Sequence, residues 1–213
     1  MLEKILDQLN ITALNAMQEA SLKAAAAGND VLLLAPTGSG KTLGFLLPLI
    51  LTLDPAIKGV QALIIVPSRE LALQIEMVFK QMSTGFKVNC CYGGHPVKIE
   101  KNNLAQAPAV LIGTPGRLAY HLRHENFDES TITALVLDEF DKALEFGFQE
   151  DMSYIIRQLL SLKQRFLTSA TAMDEIPDFV GINKPAEVNF LRDVKVLPNL
   201  QLKKVDSTAE DKL

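Results

Sequence analysis

Short apolar runs recur along the chain at Val31–Leu34, Ala62–Val66, Val88–Cys91, Val110–Ile112, Leu135–Leu137, Arg165–Thr168 and Val188–Phe190. Most of them are apolar at consecutive positions, so a strand built from such a run must be covered on both faces. Stretches of helical character lie between them: Asn15–Ala27, Lys41–Leu53, Arg69–Met82 and Phe148–Leu162. Within Arg69–Met82 the apolar residues Leu71, Ile75, Val78 and Met82 share one helical face. Asn15 is suited to cap the first helix at its start and Gly28 to end it. Strand and helix in alternation mean βαβ units, which predicts an α/β fold with a mostly parallel central sheet and helices on both of its faces.

With 213 residues, 48% of them hydrophobic, the chain can bury the core of one large α/β domain. We assign residues 1–190 to that domain. From Leu191 onward the pattern fades into a polar stretch, so 191–213 reads as a linker. The net charge of -4 argues against holding nucleic acid by a global positive field, and any such contact must be local. The longest apolar stretch, Phe45–Leu53, contains Pro48 and is far shorter than the roughly 20 residues of a membrane span. Met1–Leu9 mixes charges of both signs with apolar residues and has no signal-peptide core. A soluble, cytoplasmic, monomeric protein without a membrane partner is expected. The adjacent Cys90 and Cys91 can neither close a long loop nor supply a zinc spacing, and read as reduced thiols in a strand. His121 and His124, three apart on a helix, read as two exposed residues rather than a metal pair.

In an open α/β sheet the ligand site lies beyond the carboxyl ends of the strands, so segments that follow strands are the ones that carry chemistry. Ala35-Pro36-Thr37-Gly38-Ser39-Gly40-Lys41-Thr42 follows the first run and opens a helix. Small residues there let backbone N–H groups curl around phosphates, Lys41 can neutralise phosphate charge, and the Thr42 hydroxyl can hold Mg²⁺. Ala35 stands where this loop pattern has its first glycine, which works only if that residue needs no positive φ. Asp138-Glu139-Phe140-Asp141 follows the run Leu135–Leu137. Asp138 suits the Mg²⁺ shell, and Glu139 can position or activate water, since phosphoryl transfer asks a protein mainly for positioning and charge stabilisation.

Taken in order, these segments and four more resemble the N-terminal, RecA-like domain of DEAD-box RNA helicases over essentially the whole chain. Ala35–Thr42 is similar to the family's phosphate loop, and Pro67-Ser-Arg-Glu-Leu-Ala72 to its next motif, with Ser68 where threonine is commoner. Gly93-Gly94 and Thr114-Pro-Gly-Arg117 are similar to elements that contact the RNA backbone; Asp138–Asp141 resembles the motif that names the family, with Phe140 for alanine. Ser169-Ala-Thr171 resembles the segment that ties nucleotide state to strand separation. By this resemblance the chain is a RecA-like P-loop NTPase domain that binds ATP or ADP with Mg²⁺. Lys41, Asp138 and Glu139 are then catalytic, and Thr42 and Asp138 hold the metal. Pro36, Thr37, Gly38, Ser39, Gly40, Lys41 and Thr42 cradle phosphates, while Gln18 reads adenine through its donor–acceptor amide. Arg69, Gly94, Thr114 and Arg117 contact RNA, and Asp141, Ser169 and Thr171 couple the two ligands. Leu14-Asn15 stand where the family has Pro-Thr before that glutamine. The resemblance also implies a second RecA-like domain in the full-length protein, and after Thr171 no segment resembles its motifs; the domain alone is expected to be nearly inactive.

Plainer readings stay open at this point. Gln18 could be a polar residue on an exposed helix face, and Arg69 and Arg117 ordinary surface charge. A P-loop ATPase acting on DNA would share the phosphate loop and the acids but would not explain Gln18, Pro67–Ala72 and Thr114–Arg117 together. An RNA adaptor that binds nucleotide without turnover would need neither Asp138 nor Glu139.

Overall fold

A computed structural model describes residues 1–173 and 175–191. Its first half runs α1 (Leu2–Gln8), α2 (Ala16–Ala26), β1 (Val31–Leu34), α3 (Lys41–Leu51), β2 (Ala62–Ile65), α4 (Arg69–Gln81) and β3 (Val88–Cys91). The second half runs α5 (Val97–Leu104), β4 (Val110–Gly113), α6 (Pro115–Arg123), β5 (Ala134–Leu137), α7 (Phe140–Glu145), α8 (Gln149–Gln158), β6 (Gln164–Ser169), a single 3-10 turn at Asp178–Val180, and β7 (Ala186–Asn189). The linker expected at 191–213 lies, beyond Leu191, outside the described residues.

The seven strands form one sheet in the order β3-β4-β2-β5-β6-β1-β7, and every neighbouring pair is parallel. Alternate residues of a strand enter opposite cores, as the consecutive apolar positions require. Val31, Leu33, Ala62, Ile64, Val110 and Ile112 join the side chains of α2, α3 and α4 on one face. Leu32, Leu34, Leu63, Ile65, Leu111 and Leu135 join those of α6 and α8 on the other.

Helix α3 carries Pro48 in its interior, which leaves the carbonyl four residues back, on Gly44, without its helical donor. The Ser21 hydroxyl of α2 donates to that buried carbonyl at 2.7 Å. Gly44 itself lets the layers meet, since a Cβ there would lie 2.9 Å from Leu33 Cδ2 and 3.2 Å from Met17 Sδ. The proline therefore sits inside a continuous helix because α2 supplies the missing hydrogen bond.

Strand order sorts the chemistry-bearing segments into two groups. The loops after β1, β5 and β6 leave three adjacent strands, and those after β2, β3 and β4 leave three more that neighbour one another, with β7 at the far edge. Ala35–Thr42, Asp138–Asp141 and Ser169–Thr171 thus converge on one side of the carboxyl edge, while Pro67–Ala72, Gly93-Gly94 and Thr114–Arg117 converge on the other.

Candidate functional site

The loop between β1 and α3 curls through two left-handed glycines, Gly38 at φ +79° and Gly40 at φ +90°. A Cβ at Gly40 would stand 2.7 Å from Gln18 Nε2 and would have to displace that amide, and the left-handed φ strains any other residue there. Ala35 keeps a negative φ and is wholly buried, so the departure from glycine there carries no strain. Lys41 is buried, and its Nζ donates to the carbonyls of Ala35 at 2.6 Å and Pro36 at 3.0 Å. Burial lowers the ammonium's pKa below the ordinary lysine value, against the opposing charges of Asp138, Glu139 and Asp141. Ser39 Oγ is buried and has no partner among the described residues, leaving polar capacity inside the loop for an anion.

Gln18 is 6% exposed, which removes the reading as an exposed helix-face residue. Its backbone N–H donates to Asn15 Oδ1 at 2.9 Å, its Oε1 accepts from the Asn15 N–H at 3.0 Å, and its Nε2 donates to the Gly40 carbonyl at 3.3 Å. Asn15 Nδ2 donates in turn to the Ser39 carbonyl at 3.0 Å. The start of α2 is therefore a capping box fastened to the phosphate loop. A side-chain amide has two N–H groups and two acceptor sites, so Gln18 keeps one donor and one acceptor for a ligand.

A cavity of about 290 Å³ is lined by Thr37, Gly38, Gly40, Lys41 and Thr42, with Asp138 and Glu139 opposite and Leu71 and Gln74 of α4 at its side. Thr168 fastens the acids: its hydroxyl donates to Asp138 Oδ1 and accepts the Glu139 backbone N–H at 3.1 Å. Glu139 adopts a left-handed conformation, φ 48° and ψ 49°, which costs a non-glycine residue roughly 1–2 kcal/mol. Thr168 read as an ordinary strand residue, and Gln74, one turn beyond Leu71, carried no signal of its own.

Burial pushes the Asp138 carboxyl up to about 6, opposed by the Thr168 hydrogen bond; Glu139 raises it further and Lys41 lowers it. Because this value lies above that of an unfolded aspartate, the carboxyl favours the fold at low pH and destabilises it as pH rises through about 6. The penalty at neutral pH is on the order of 3 kcal/mol. Asp138→Asn is expected to raise the thermal midpoint of the nucleotide-free chain near neutral pH, with the gain shrinking toward about pH 4. Calorimetry at both pH values checks this, and a gain that does not depend on pH would contradict it.

The three residues expected to couple the ligands meet. Thr171 Oγ1 donates to Asp141 Oδ2 at 2.9 Å, while Ser169 Oγ donates to the Thr171 carbonyl at 2.8 Å and accepts its N–H at 3.0 Å. The Phe140 ring finds its room in the core rather than in this network. It is 0% exposed and lies 6.3 Å, centroid to centroid, from Phe179 of the 3-10 turn.

The second cleft, about 620 Å³, is lined by Pro67, Ser68, Arg69, Gly93, Val97, Thr114, Gly116, Arg117, Tyr120 and Phe148. Arg69, Thr114 and Arg117 are thus brought together, whereas Gly94, at φ +82° in the same turn, does not line the cleft and its neighbour Gly93 does. Arg69 stacks 5.2 Å over the Tyr92 ring. Ser68 Oγ caps α4 by accepting the Leu71 N–H at 3.2 Å. Helix α4 belongs to both clefts, Arg69 to this one and Leu71 and Gln74 to the other.

One expectation is corrected. His121 is 0% exposed, not a surface residue, and its Nε2 lies 2.7 Å from Glu100 Oε2. Position 121 falls three residues after Leu118 and just before Leu122, on the buried stripe of α6, a periodic signal the sequence did offer. Cys90 and Cys91 are free thiols in β3, as expected. Ligand atoms of Cys91, Glu100 and His121 lie within 4.8 Å of one another. The carboxylate is already engaged by protein groups: Arg117 Nη1 sits 3.1 Å from it and His121 Nε2 2.7 Å.

Residues 15–179 match the family model described as DEAD/DEAH box helicase. The chain is 39% identical over 178 residues to "ATP-dependent RNA helicase DeaD" of Escherichia coli (strain K12), an alignment covering 81% of this chain and 28% of that protein. It is 37% identical over 192 residues to "ATP-dependent RNA helicase ddx54" of Dictyostelium discoideum, covering 87% of this chain and 18% of that protein. Among solved structures, that of a hypothetical ATP-dependent RNA helicase from Sulfolobus tokodaii superposes with a TM-score of 0.78 at 29% identity, covering 88% of this chain and 56% of the other. The chain therefore spans less than a third of the length of either of these two curated relatives.

Proposed function

Because the chain belongs to the DEAD/DEAH box helicase family, we propose that it is the nucleotide-binding domain of an ATP-dependent RNA helicase. In that reading it holds ATP and part of an RNA backbone, and a second RecA-like domain of the same full-length protein closes on both. The observation that carries the proposal is the convergence of Lys41, Asp138, Glu139 and Thr42 around one cavity, with Thr168 fastening the two acids.

The phosphate loop offers backbone N–H groups, and Lys41 exchanges its two loop carbonyls for phosphate oxygens. Thr42 and Asp138, hard oxygen donors lining the same cavity, suit Mg²⁺ and would hold it. When bound, the ion neutralises phosphate charge. Glu139, its backbone locked by Thr168, orients the attacking water and takes its proton. The amide of Gln18 uses its remaining donor and acceptor on the adenine edge. Arg69, Thr114 and Arg117, with the Gly93-Gly94 turn, take RNA phosphates, which supplies the local positive surface that an acidic chain needs. Asp141, Ser169 and Thr171 carry the change at the phosphates toward the second domain. We place the protein in the cytoplasm, working as a monomer; among the described residues no helix is long and apolar enough to cross a membrane.

Lys41 is the one cation lining the phosphate cavity among the described residues. An arginine supplied from elsewhere is worth roughly 10³–10⁵ in the rate of such hydrolysis, so residues 1–213 alone should bind nucleotide and turn it over only marginally. The test is phosphate release by the full-length protein with and without single-stranded RNA. A marked rise with RNA is expected. ATP binding with no RNA-dependent release would leave a nucleotide-binding adaptor as the better reading.

A further inference from the structure

A single buried carboxylate stands beneath the second cleft. Glu100 of α5 is 0% exposed. Its Oε1 accepts the backbone N–H of Tyr92, the residue before the Gly93-Gly94 turn, at 3.0 Å. Its Oε2 accepts from Arg117 Nη1 at 3.1 Å and lies 2.7 Å from His121 Nε2. Asn126 Nδ2 donates to His121 Nδ1 at 3.0 Å, so the imidazole carries its hydrogen on Nε2, aimed at the carboxylate. His95, in the same turn as Gly94, holds Nδ1 3.3 Å from Oε1. Burial pushes the Glu100 carboxyl up, but the hydrogen bonds from His121 and Tyr92 and the Arg117 charge outweigh it and hold the group below the ordinary glutamate value.

Building on the RNA-binding role proposed above, we propose that Glu100 is a positioning residue that presets both arginines of the cleft for an RNA backbone. Arg117 is held directly, through one of its five N–H groups, and the other four have no hydrogen-bond partner among the described residues. Arg69 is held at one remove: it stacks on Tyr92, whose backbone Glu100 anchors. A free arginine carries about 2 kcal/mol of rotamer entropy that binding must remove. A guanidinium already held in place loses less, which raises affinity without a new contact to the ligand. Because the carboxylate is buried and shares three donors, it cannot reach the RNA itself.

The experiment measures the affinity of the 213-residue chain for a fluorescent single-stranded RNA across a range of salt concentrations, with ADP affinity as the control for an intact fold. Glu100→Ala is expected to weaken RNA binding about fivefold or more and to reduce the log–log salt slope by roughly 0.7, the value of one lost phosphate contact on a single strand. ADP affinity should not change. Glu100→Gln, which keeps one acceptor oxygen in place, should recover part of the loss. In an Arg117→Ala background, Glu100→Ala should change the slope less than it does alone, because only the indirect hold on Arg69 is left to lose. Should the alanine variant lose ADP binding, Glu100→Asp replaces it. That variant keeps the charge but withdraws the oxygens by about 1.5 Å, and it should show the same loss of slope. If Arg117→Ala weakens RNA binding while the folded Glu100 variants keep wild-type affinity and slope, this proposal fails and the RNA-binding role stands. A wild-type chain with no salt-dependent RNA binding would overturn both.

Discussion

Replacing Lys41 by alanine is expected to weaken ADP and ATP binding about 10- to 100-fold, the value of one or two charge-assisted hydrogen bonds to phosphate. The side chain is buried, and among the described residues it donates only to its own loop's carbonyls, while its charge also offsets that of Asp138. Removing it also relieves the desolvation that lowers its pKa. That relief offsets the lost charge beside Asp138 and the two carbonyls left without a donor, so the variant should unfold close to the wild-type temperature in the absence of nucleotide. Titration calorimetry together with a melting curve separates these effects. Unchanged affinity would mean that the loop's backbone holds the phosphates alone, and lost affinity with a lower melting point would point to a structural role.

Glu139→Gln should act on rate and spare binding. In the full-length protein, RNA-stimulated hydrolysis should fall about 10²- to 10⁴-fold, the range of a lost general base, while nucleotide affinity stays near wild type. The backbone bond from the Glu139 N–H to Thr168 does not involve the side chain, and glutamine keeps the shape at the same left-handed position. Turnover equal to wild type would remove Glu139 from the mechanism. A matching loss of affinity would show that it serves binding.

The sequence was most legible where a short run of residue types follows a strand. The seven apolar runs became the seven strands with ends shifted by only a residue or two. The phosphate loop, the acids and Ser169–Thr171 could be recognised because each is contiguous, and their meeting followed from the parallel order of the sheet. What stayed hidden depends on residues far apart in the chain. Glu100 and His121 are 21 positions apart on two short helices, and nothing in either segment announces the other. Thr168 lies 29 residues from the backbone it anchors, in a strand where threonine is an ordinary choice. Gln18 is expected to contact a ligand by resemblance alone, whereas its closing of the capping box and its grip on Gly40 show only once α2 lies against the loop. Phe140 stood out as a departure from the family's alanine. Its room comes from Phe179 and the second core, which sequence spacing does not reveal.

Helix α4 sets a final consequence. Arg69 and Gln74 are five residues apart, about 7–8 Å along the axis, and the buried Ala72, Ile75 and Phe79 seat the same helix on the sheet. One rigid rod thus forms a wall of each cleft. If a ligand in one cleft favours a small displacement of that rod, the free energy it contributes is felt by the ligand in the other. Linkage makes the effect reciprocal: the factor by which nucleotide tightens RNA must equal the factor by which RNA tightens nucleotide. Two titrations run in opposite directions should therefore return one number.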